Sequence, residues 1–240
     1  ADLRRQGLKN AAIPRDKIVI SGFPVRGACQ KKHSPEAVEL LKIKHGMVKD
    51  HHSVTLILGT TGNRMLLDYT KELAKLSNSA FSRPLQLSIC VGKNEKVRSS
   101  ILEWLLLEGA KIQKETQAYI TLRAQNGLIF HLRKFTKDLI EIMVTSDLVI
   151  TKTGSCSVNE AIYLGKKLLL DNTDTSSARY LFWETFNLYF VRKHGLGDVF
   201  YNLSEMPTLV EVLLKGDLGH PVLSGAFEVP DFRENIQDRK

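Results

Sequence analysis

Two glycine-marked turns in this chain are suited to hold an anion. The first, Gly59-Thr60-Thr61-Gly62-Asn63, follows the apolar run Val54 to Leu58; the second, Lys152-Thr153-Gly154-Ser155, follows Leu148-Val149-Ile150. Glycine lets the backbone approach a ligand closely, and the threonine hydroxyls can donate hydrogen bonds. The second turn runs straight into a predicted helix. The first N–H groups of a helix lack intrahelical partners, and the dipole is positive at that end. A diphosphate fits that chemistry. Glu160, near the start of the same helix, is of the right type to take a bidentate pair of hydrogen bonds from ribose hydroxyls. Each signal alone also has an ordinary reading. A Gly-x-x-Gly turn after a strand is common, Ser155 serves equally well as an N-cap, and an early Glu can simply face the dipole. The first turn lacks the Gly-Lys-Ser/Thr ending of a P-loop and is not Gly-x-Gly-x-x-Gly. Both turns within one sheet raise the weight of a phosphate ligand.

The surrounding elements must bring both turns to one edge. Val54 to Leu58 reads as a strand buried on both faces, and Asn63 to Leu76 has helical periodicity. Strands are expected at Leu85 to Val91, Leu128 to Leu132, Leu148 to Ile150, Lys167 to Leu170 and Leu188 to Val191. Helices are expected at Pro35 to His45, Val97 to Leu107, Asp138 to Thr145, Ser157 to Leu164, Ser177 to Phe186 and Met206 to Leu214. Residues 110–127 give no clear pattern. A further short strand is expected at Lys17 to Ile20. Trp104, Phe182 and Trp183 read as core. Alternating strands and helices point to an α/β fold, a Rossmann-like, doubly wound parallel sheet with helices on both faces. Ligands bind at the C-terminal strand ends of such sheets. The expected organisation is a lead-in over 1–52, the nucleotide-binding domain over 53–203, and a helix and tail over 204–240.

The bulk numbers bound the class. The chain has 240 residues, 43% of them hydrophobic, enough for one substantial core. No apolar run approaches the roughly 20 residues of a membrane helix. No charged-then-apolar leader is seen, and the first residue is Ala, so the expectation is a piece of something longer. The net charge of +8 suits an anionic ligand or an anionic membrane surface, but the basic residues are spread along the chain and no nucleic-acid module stands out. Cys29, Cys90 and Cys156 lack paired spacing and read as reduced thiols of a cytoplasmic protein. His51-His52 reads as a solvated loop pair. No Asp-x-Asp occurs, in keeping with a leaving group stabilised by a helix dipole and basic groups instead of a metal.

One resemblance organises these residues. The stretch Lys134-Phe135-Thr136-Lys137-Asp138, then Ser146-Asp147-Leu148-Val149-Ile150-Thr151-Lys152-Thr153-Gly154-Ser155-Cys156-Ser157-Val158-Asn159-Glu160-Ala161 and Gly165, resembles the signature region of the MurG and monogalactosyldiacylglycerol synthase family. These are GT-B glycosyltransferases of the family 28 type. Upstream, Ile18-Val19-Ile20-Ser21-Gly22-Phe23-Pro24-Val25-Arg26 resembles the segment leading from that family's N-terminal domain into its C-terminal one, and sharpens the likeness toward the diacylglycerol branch. The resemblance covers roughly residues 13–200 in order. It implies that Glu160 holds the ribose hydroxyls, that Gly154 and Ser155 lie beneath the phosphates, and that Lys152 stands beside them. It places the uracil at Phe135, and Gly59, Thr60, Thr61, Gly62 and Asn63 toward the diphosphate and sugar.

Two departures accompany it. Thr60 and Thr61 occupy the centre of a loop that is richer in glycine in the family. Asp174-Thr175-Ser176-Ser177-Ala178-Arg179 stands where the family has Gln or Glu and then Asn. Thr175 and Arg179 are the candidate contacts there; Arg179 either neutralises a phosphate or faces solvent. The resulting expectation is a UDP-sugar-binding domain of a hexosyltransferase acting on a lipid-type acceptor, inactive without its N-terminal domain. The alternatives are a GT-B-fold UDP-sugar epimerase and a non-catalytic binding domain. No cofactor or metal is expected. The expected partners are a UDP-sugar, a lipid acceptor, an anionic membrane surface and the N-terminal domain, and no nucleic acid. The expected location is cytoplasmic, with peripheral membrane attachment.

Overall fold

A computed structural model describes residues 25–59, 63–173 and 184–216. Its spine is an eight-stranded sheet. The strands are β1 (His52–Ile57), β2 (Leu85–Cys90), β3 (Lys111–Glu115), β4 (Tyr119–Arg123), β5 (Ile129–Arg133), β6 (Leu148–Lys152), β7 (Lys167–Asp171) and β8 (Gly197–Phe200). Their spatial order is β3-β4-β5-β2-β1-β6-β7-β8. From β5 to β8 all neighbours pair in parallel. The strand order turns at β1, the point where an open α/β sheet leaves a crevice at its C-terminal edge.

Helices cover both faces, as expected. The helices α1 (Pro35–Lys44), α2 (Met65–Leu73), α3 (Glu95–Leu107), α4 (Leu139–Val144), α5 (Ser155–Tyr163), α6 (Thr185–Lys193) and α7 (Met206–Lys215) precede, connect or follow the strands. Leu66, Tyr69 and Leu73 of α2, Ile101 and Leu105 of α3, and Val210 and Leu213 of α7 pack with Val54, Leu56, Leu87, Ile89 and Ile150 on one face. Met143 of α4, Val158 and Ala161 of α5, and Leu188 and Val191 of α6 pack with Val149, Leu168 and Leu170 on the other. Alternate residues of one strand thus enter different layers, as the period of two requires. Trp104 lies partly buried against the first layer; Phe182 and Trp183 lie outside the described residues.

Under the end of α1 the second face turns polar. Gln86 donates to Val48 O at 2.7 Å and to Ser53 Oγ at 2.9 Å, and its Oε1 accepts Val48 N–H at 2.9 Å. That same Oε1 lies 3.0 Å from His131 Nε2, while Thr121 Oγ1 lies 3.0 Å from Nδ1. An amide oxygen only accepts, so His131 carries its proton on Nε2 and takes the Thr121 hydroxyl at Nδ1. Burial holds His131 well below the ordinary imidazole pKa. Arg133 spans the same layer, donating to Ser88 Oγ at 3.1 Å and to His45 O, just past α1, at 2.8 Å.

Three expectations are corrected. The sheet is not wholly parallel: β3 and β4 form an antiparallel hairpin that continues antiparallel onto β5. Leu188 to Val191 is helix, not strand, lying inside α6. Leu188, Phe190 and Val191 are buried while Tyr189 is exposed, which is the spacing of a helix face. The last strand is instead Gly197–Phe200. Where a helix is expected to end at Phe186, α6 instead begins at Thr185 and runs to Lys193, and residues 177–183 lie outside the described residues. The strand expected at Lys17 to Ile20 lies outside the described residues.

Candidate functional site

The two turns emerge from adjacent strands. β1 pairs with β6 in the register Ile57↔Thr151, so Gly59 and the segment Lys152 to Ser155 follow neighbouring strand ends. Gly59 has φ +89°, a left-handed conformation that disfavours any side chain, although a Cβ there would meet nothing within 4 Å among the described residues. Thr60, Thr61 and Gly62 lie outside the described residues. Asn63 closes the turn by accepting Met65 N–H on its Oδ1 at 3.0 Å, an Asx arrangement that starts α2.

After β6 the chain enters α5 with Gly154 as N-cap, at φ −61° and ψ 126°, and no side chain caps the helix. The helix therefore starts two residues earlier than the sequence pattern suggested, and Ser155 is its first residue and not its cap. Ser155 and Cys156 are exposed. Gly154 has ordinary backbone angles, and the nearest atom to an added Cβ is Glu184 Oε1 at 3.9 Å, an ordinary contact. Among the described residues, neither conformation nor packing calls for glycine at this position.

The residues before the helix are held from α6. Thr153 Oγ1 donates to Glu184 Oε2 at 3.0 Å, and Asn187 Nδ2 donates to Thr153 O at 2.6 Å and to Ser155 Oγ at 3.4 Å. Glu184 and Asn187 carried no role in the sequence reading. Both lie more than thirty residues from their partners, and only the folded β6–α5 and β7–α6 connections bring them together.

Glu160 is buried within α5, its side chain 5% exposed, and it does not stand alone. Arg26 donates from Nε to Oε1 at 2.6 Å and from Nη2 to Oε2 at 2.8 Å. The Arg26 side chain is 51% exposed. The bond to Glu160 raises the guanidinium pKa further. Cys29, buried beside this pair, has its thiol pKa pushed up by burial and then by the nearby carboxylate. Arg26 ends the Gly-Phe-Pro-Val-Arg segment, in which the sequence alone assigns it no role. Its place in that segment was the available signal.

Phe135 follows β5 and is 46% exposed. Lys93, in the turn after β2, lies 5.1 Å from its ring centroid. Cation over ring at that distance is a favourable contact. Phe135 thus sits at the same edge of the sheet as the turns, but three strands away from Ser155 in the order β5-β2-β1-β6. Lys152 ends β6 and is half-buried. Thr175 and Arg179 lie outside the described residues. Asp171, at the end of β7, accepts the hydroxyl of Tyr69 from α2, and also Thr173 N–H at 2.8 Å and Thr173 Oγ1–H at 2.7 Å. That ties the helix after the glycine turn to the strand end beside Lys152.

A cavity of about 620 Å³ lies along α6, lined by Tyr189, Arg192 and Tyr201 among others, with no residue of α5 among its lining. Among the described residues no group of His, Cys, Asp and Glu is arranged to hold a metal, and no helix is long and apolar enough to cross a membrane.

No family model matches the chain. The processive diacylglycerol beta-glucosyltransferase of Bacillus cereus (strain B4264) is 24% identical over 207 residues, covering 86% of this chain and 45% of that protein. The Bacillus mycoides (strain KBAB4) protein of the same name matches at the same identity and coverage. The chain thus spans less than half the length of the curated relatives it matches. Among solved structures, WaaG, a glycosyltransferase involved in lipopolysaccharide biosynthesis, superposes with a TM-score of 0.57 at 13% identity, covering 89% of this chain and 52% of WaaG. MurG of Acinetobacter baumannii gives 0.50 at 14% identity, over 85% of this chain and 53% of MurG. The spinosyn rhamnosyltransferase SpnG gives 0.50 at 14%, over 83% and 45%. At these identities the structures speak for the fold, and the sequence matches fall on the diacylglycerol branch. The chain thus has the fold of one half of a GT-B glycosyltransferase, and its sequence resembles the MurG and monogalactosyldiacylglycerol synthase family.

Proposed function

We propose that the domain binds a UDP-sugar along the C-terminal edge of the sheet, with the diphosphate at the start of α5, the ribose at Glu160 and the uracil toward Phe135. The observation that carries this reading is Gly154. Among the described residues nothing in packing or backbone conformation requires glycine there, and as N-cap it brings no side chain to the helix start. A ligand that approaches the backbone there accounts for both features, and exposed first-turn N–H groups with the dipole behind them suit a diphosphate.

The Arg26 pair is compatible with a ribose at Glu160. Each carboxylate oxygen has room for more than one donor, and Arg26 occupies one direction on each. The hydroxyls would use what remains. Arg26 also neutralises a carboxylate that would otherwise repel a nearby diphosphate. During transfer, the fixed N–H groups of α5 would stabilise the charge that develops on the UDP leaving group.

In the whole protein we infer hexosyl transfer to a lipid-type acceptor at a membrane surface, with the acceptor site and the general base supplied by an N-terminal domain. The names of the Bacillus relatives and the charge of +8 support that reading. Calorimetric titration with UDP and UDP-sugars tests the binding step. Saturable heat is expected, and no heat at millimolar ligand would count against the site. Product analysis of the full-length protein separates a transferase from an epimerase.

A further inference from the structure

The opposite end of the sheet holds a second cluster that the nucleotide site does not use. His52, expected in a solvated loop with His51, is instead buried and opens β1; Asp147 directly precedes β6 and Lys167 opens β7, so three neighbouring parallel strands begin side by side there. Together with Arg83 and Lys166 they line a cavity of about 240 Å³. It lies roughly 20 Å from Gly59, judged by the rise of about 3.3 Å per residue along β1.

The charge in this cavity is one-sided. Arg83, Lys166 and Lys167 are three cations, and Asp147 is the single carboxylate among the lining residues. Asp147 is committed to the backbone, accepting Ser53 N–H at 2.8 Å, and its other oxygen is 3.8 Å from the Arg83 guanidinium. Arg83 Nη2 donates to His52 Nδ1 at 3.1 Å, so that nitrogen is the acceptor and the ring is neutral. Burial and the facing Arg83 both keep His52 in that form. Three cations against one anion leave a surplus of two positive charges.

Helix capping explains part of this arrangement. Lys166 Nζ donates to Val144 O at the end of α4 at 2.7 Å, and Lys167 Nζ donates to Leu213 O near the end of α7. Each of these bonds uses one of three ammonium donors. Capping does not explain Arg83, which comes from the turn before β2 and, among the described residues, has its bond to His52 and a long contact to Asp147. Nor does it explain an open cavity between the three cations.

We propose that this cavity binds a phosphate-type dianion, either inorganic phosphate or the phosphomonoester of a larger molecule, independently of the nucleotide site. A dianion matches the surplus charge. The guanidinium offers the paired donors that phosphate oxygens accept, and two ammonium groups offer further charge-assisted bonds. The volume is below the roughly 300–1,000 Å³ of sites for larger organic ligands, so the pocket holds a phosphate group and not a whole nucleotide. Occupancy would join the starts of β1 and β7 to the ends of α4 and α7.

Amide NMR of the 240-residue chain, titrated with sodium phosphate against sodium chloride at matched ionic strength, tests this. Saturable shifts at His52, Asp147, Lys166 and Lys167 are expected with phosphate alone. Arg83→Gln, at a side chain 43% exposed, is expected to keep the fold and weaken phosphate at least ten-fold, with Lys167→Gln as an independent second variant. Shifts that chloride reproduces, or that neither variant weakens, overturn the proposal. Flotation with phosphatidic acid vesicles against phosphatidylcholine vesicles identifies the source. Retention that Arg83→Gln abolishes points to a lipid headgroup, and phosphate binding without retention points to a soluble ion. A parallel UDP titration, read at Ser155 to Ser157, reports on the other site, so the two readings fail separately.

Discussion

Arg26 holds both carboxylate oxygens of Glu160, at 2.6 and 2.8 Å, across 134 positions of sequence. The pair joins the segment before α1 to the middle of α5. It also fixes the orientation of the one acidic side chain that the ribose reading needs. Arg26→Ala would leave Glu160 nearly buried and without its partner. Because the Arg26 side chain is half exposed, water replaces much of what is lost, and the cost in stability is about 1 kcal/mol. UDP affinity is expected to fall about ten-fold as Glu160 loses its orientation, since 1.4 kcal/mol corresponds to a factor of ten. Chemical denaturation and calorimetry on the same variant separate the two effects.

Two glycines at the site are there for different reasons, and substitution separates them. Gly59→Ala places a side chain at φ +89° and is expected to cost about 1–2 kcal/mol through backbone strain. Gly154→Ala meets neither strain nor a close contact and is expected to cost less than about 1 kcal/mol as a cap change. The order reverses for the ligand. A methyl at Gly154 would intrude where the proposed diphosphate would approach, so Gly154→Ala should lose more than ten-fold in UDP affinity while melting almost as the parent does. Thermal melts beside UDP titrations decide it.

The Tyr69–Asp171 bond couples α2 to the end of β7. Burial raises the Tyr69 pKa, with the Asp171 charge and hydrogen bond adding to the shift, so the phenol stays protonated and donates. Tyr69→Phe keeps the ring against Phe200 but removes the donor from a buried carboxylate. The expected loss is about 1–3 kcal/mol, read as a lowered denaturant midpoint with an unchanged slope.

Stability should also depend on pH through histidines kept neutral. Burial lowers the pKa of His131, His45 and His52 below the ordinary value near 6.5. Below that value the unfolded chain takes up protons that the native chain refuses. Stability is therefore full above about pH 6.5 and falls as pH drops beneath it, by at most about 1.4 kcal/mol per pH unit for each such histidine. Urea midpoints at about pH 7.5 and about pH 5.5 check the sign.

What was legible in the sequence follows from where the information is local. Val54 to Leu58, apolar but for the buried Thr55, and Leu148 to Ile150 stand out because β1 and β6 lie mid-sheet, and both are legible within two residues of their ends. β3, Lys-Ile-Gln-Lys-Glu, is exposed along its whole length at the sheet edge, so no burial pattern marks it. Leu188-Tyr189-Phe190-Val191 looked like a strand because four apolar residues in a row have no period of their own. Only the flanking positions, with Asn187 buried against Thr153, place it on a helix. The site divides the same way. The turns and Glu160 were visible as motifs, whereas Arg26, Glu184 and Asn187 gain their meaning from contacts that tertiary structure creates.

The most direct test of the account is an amide NMR titration of the chain with UDP, observed at Ser155, Cys156 and Ser157 and repeated with Glu160→Ala. The account predicts saturable shifts at these three first-turn amides in the parent chain, and their loss in the variant. Unmoved amides at millimolar UDP, or shifts that Glu160→Ala leaves intact, would contradict it.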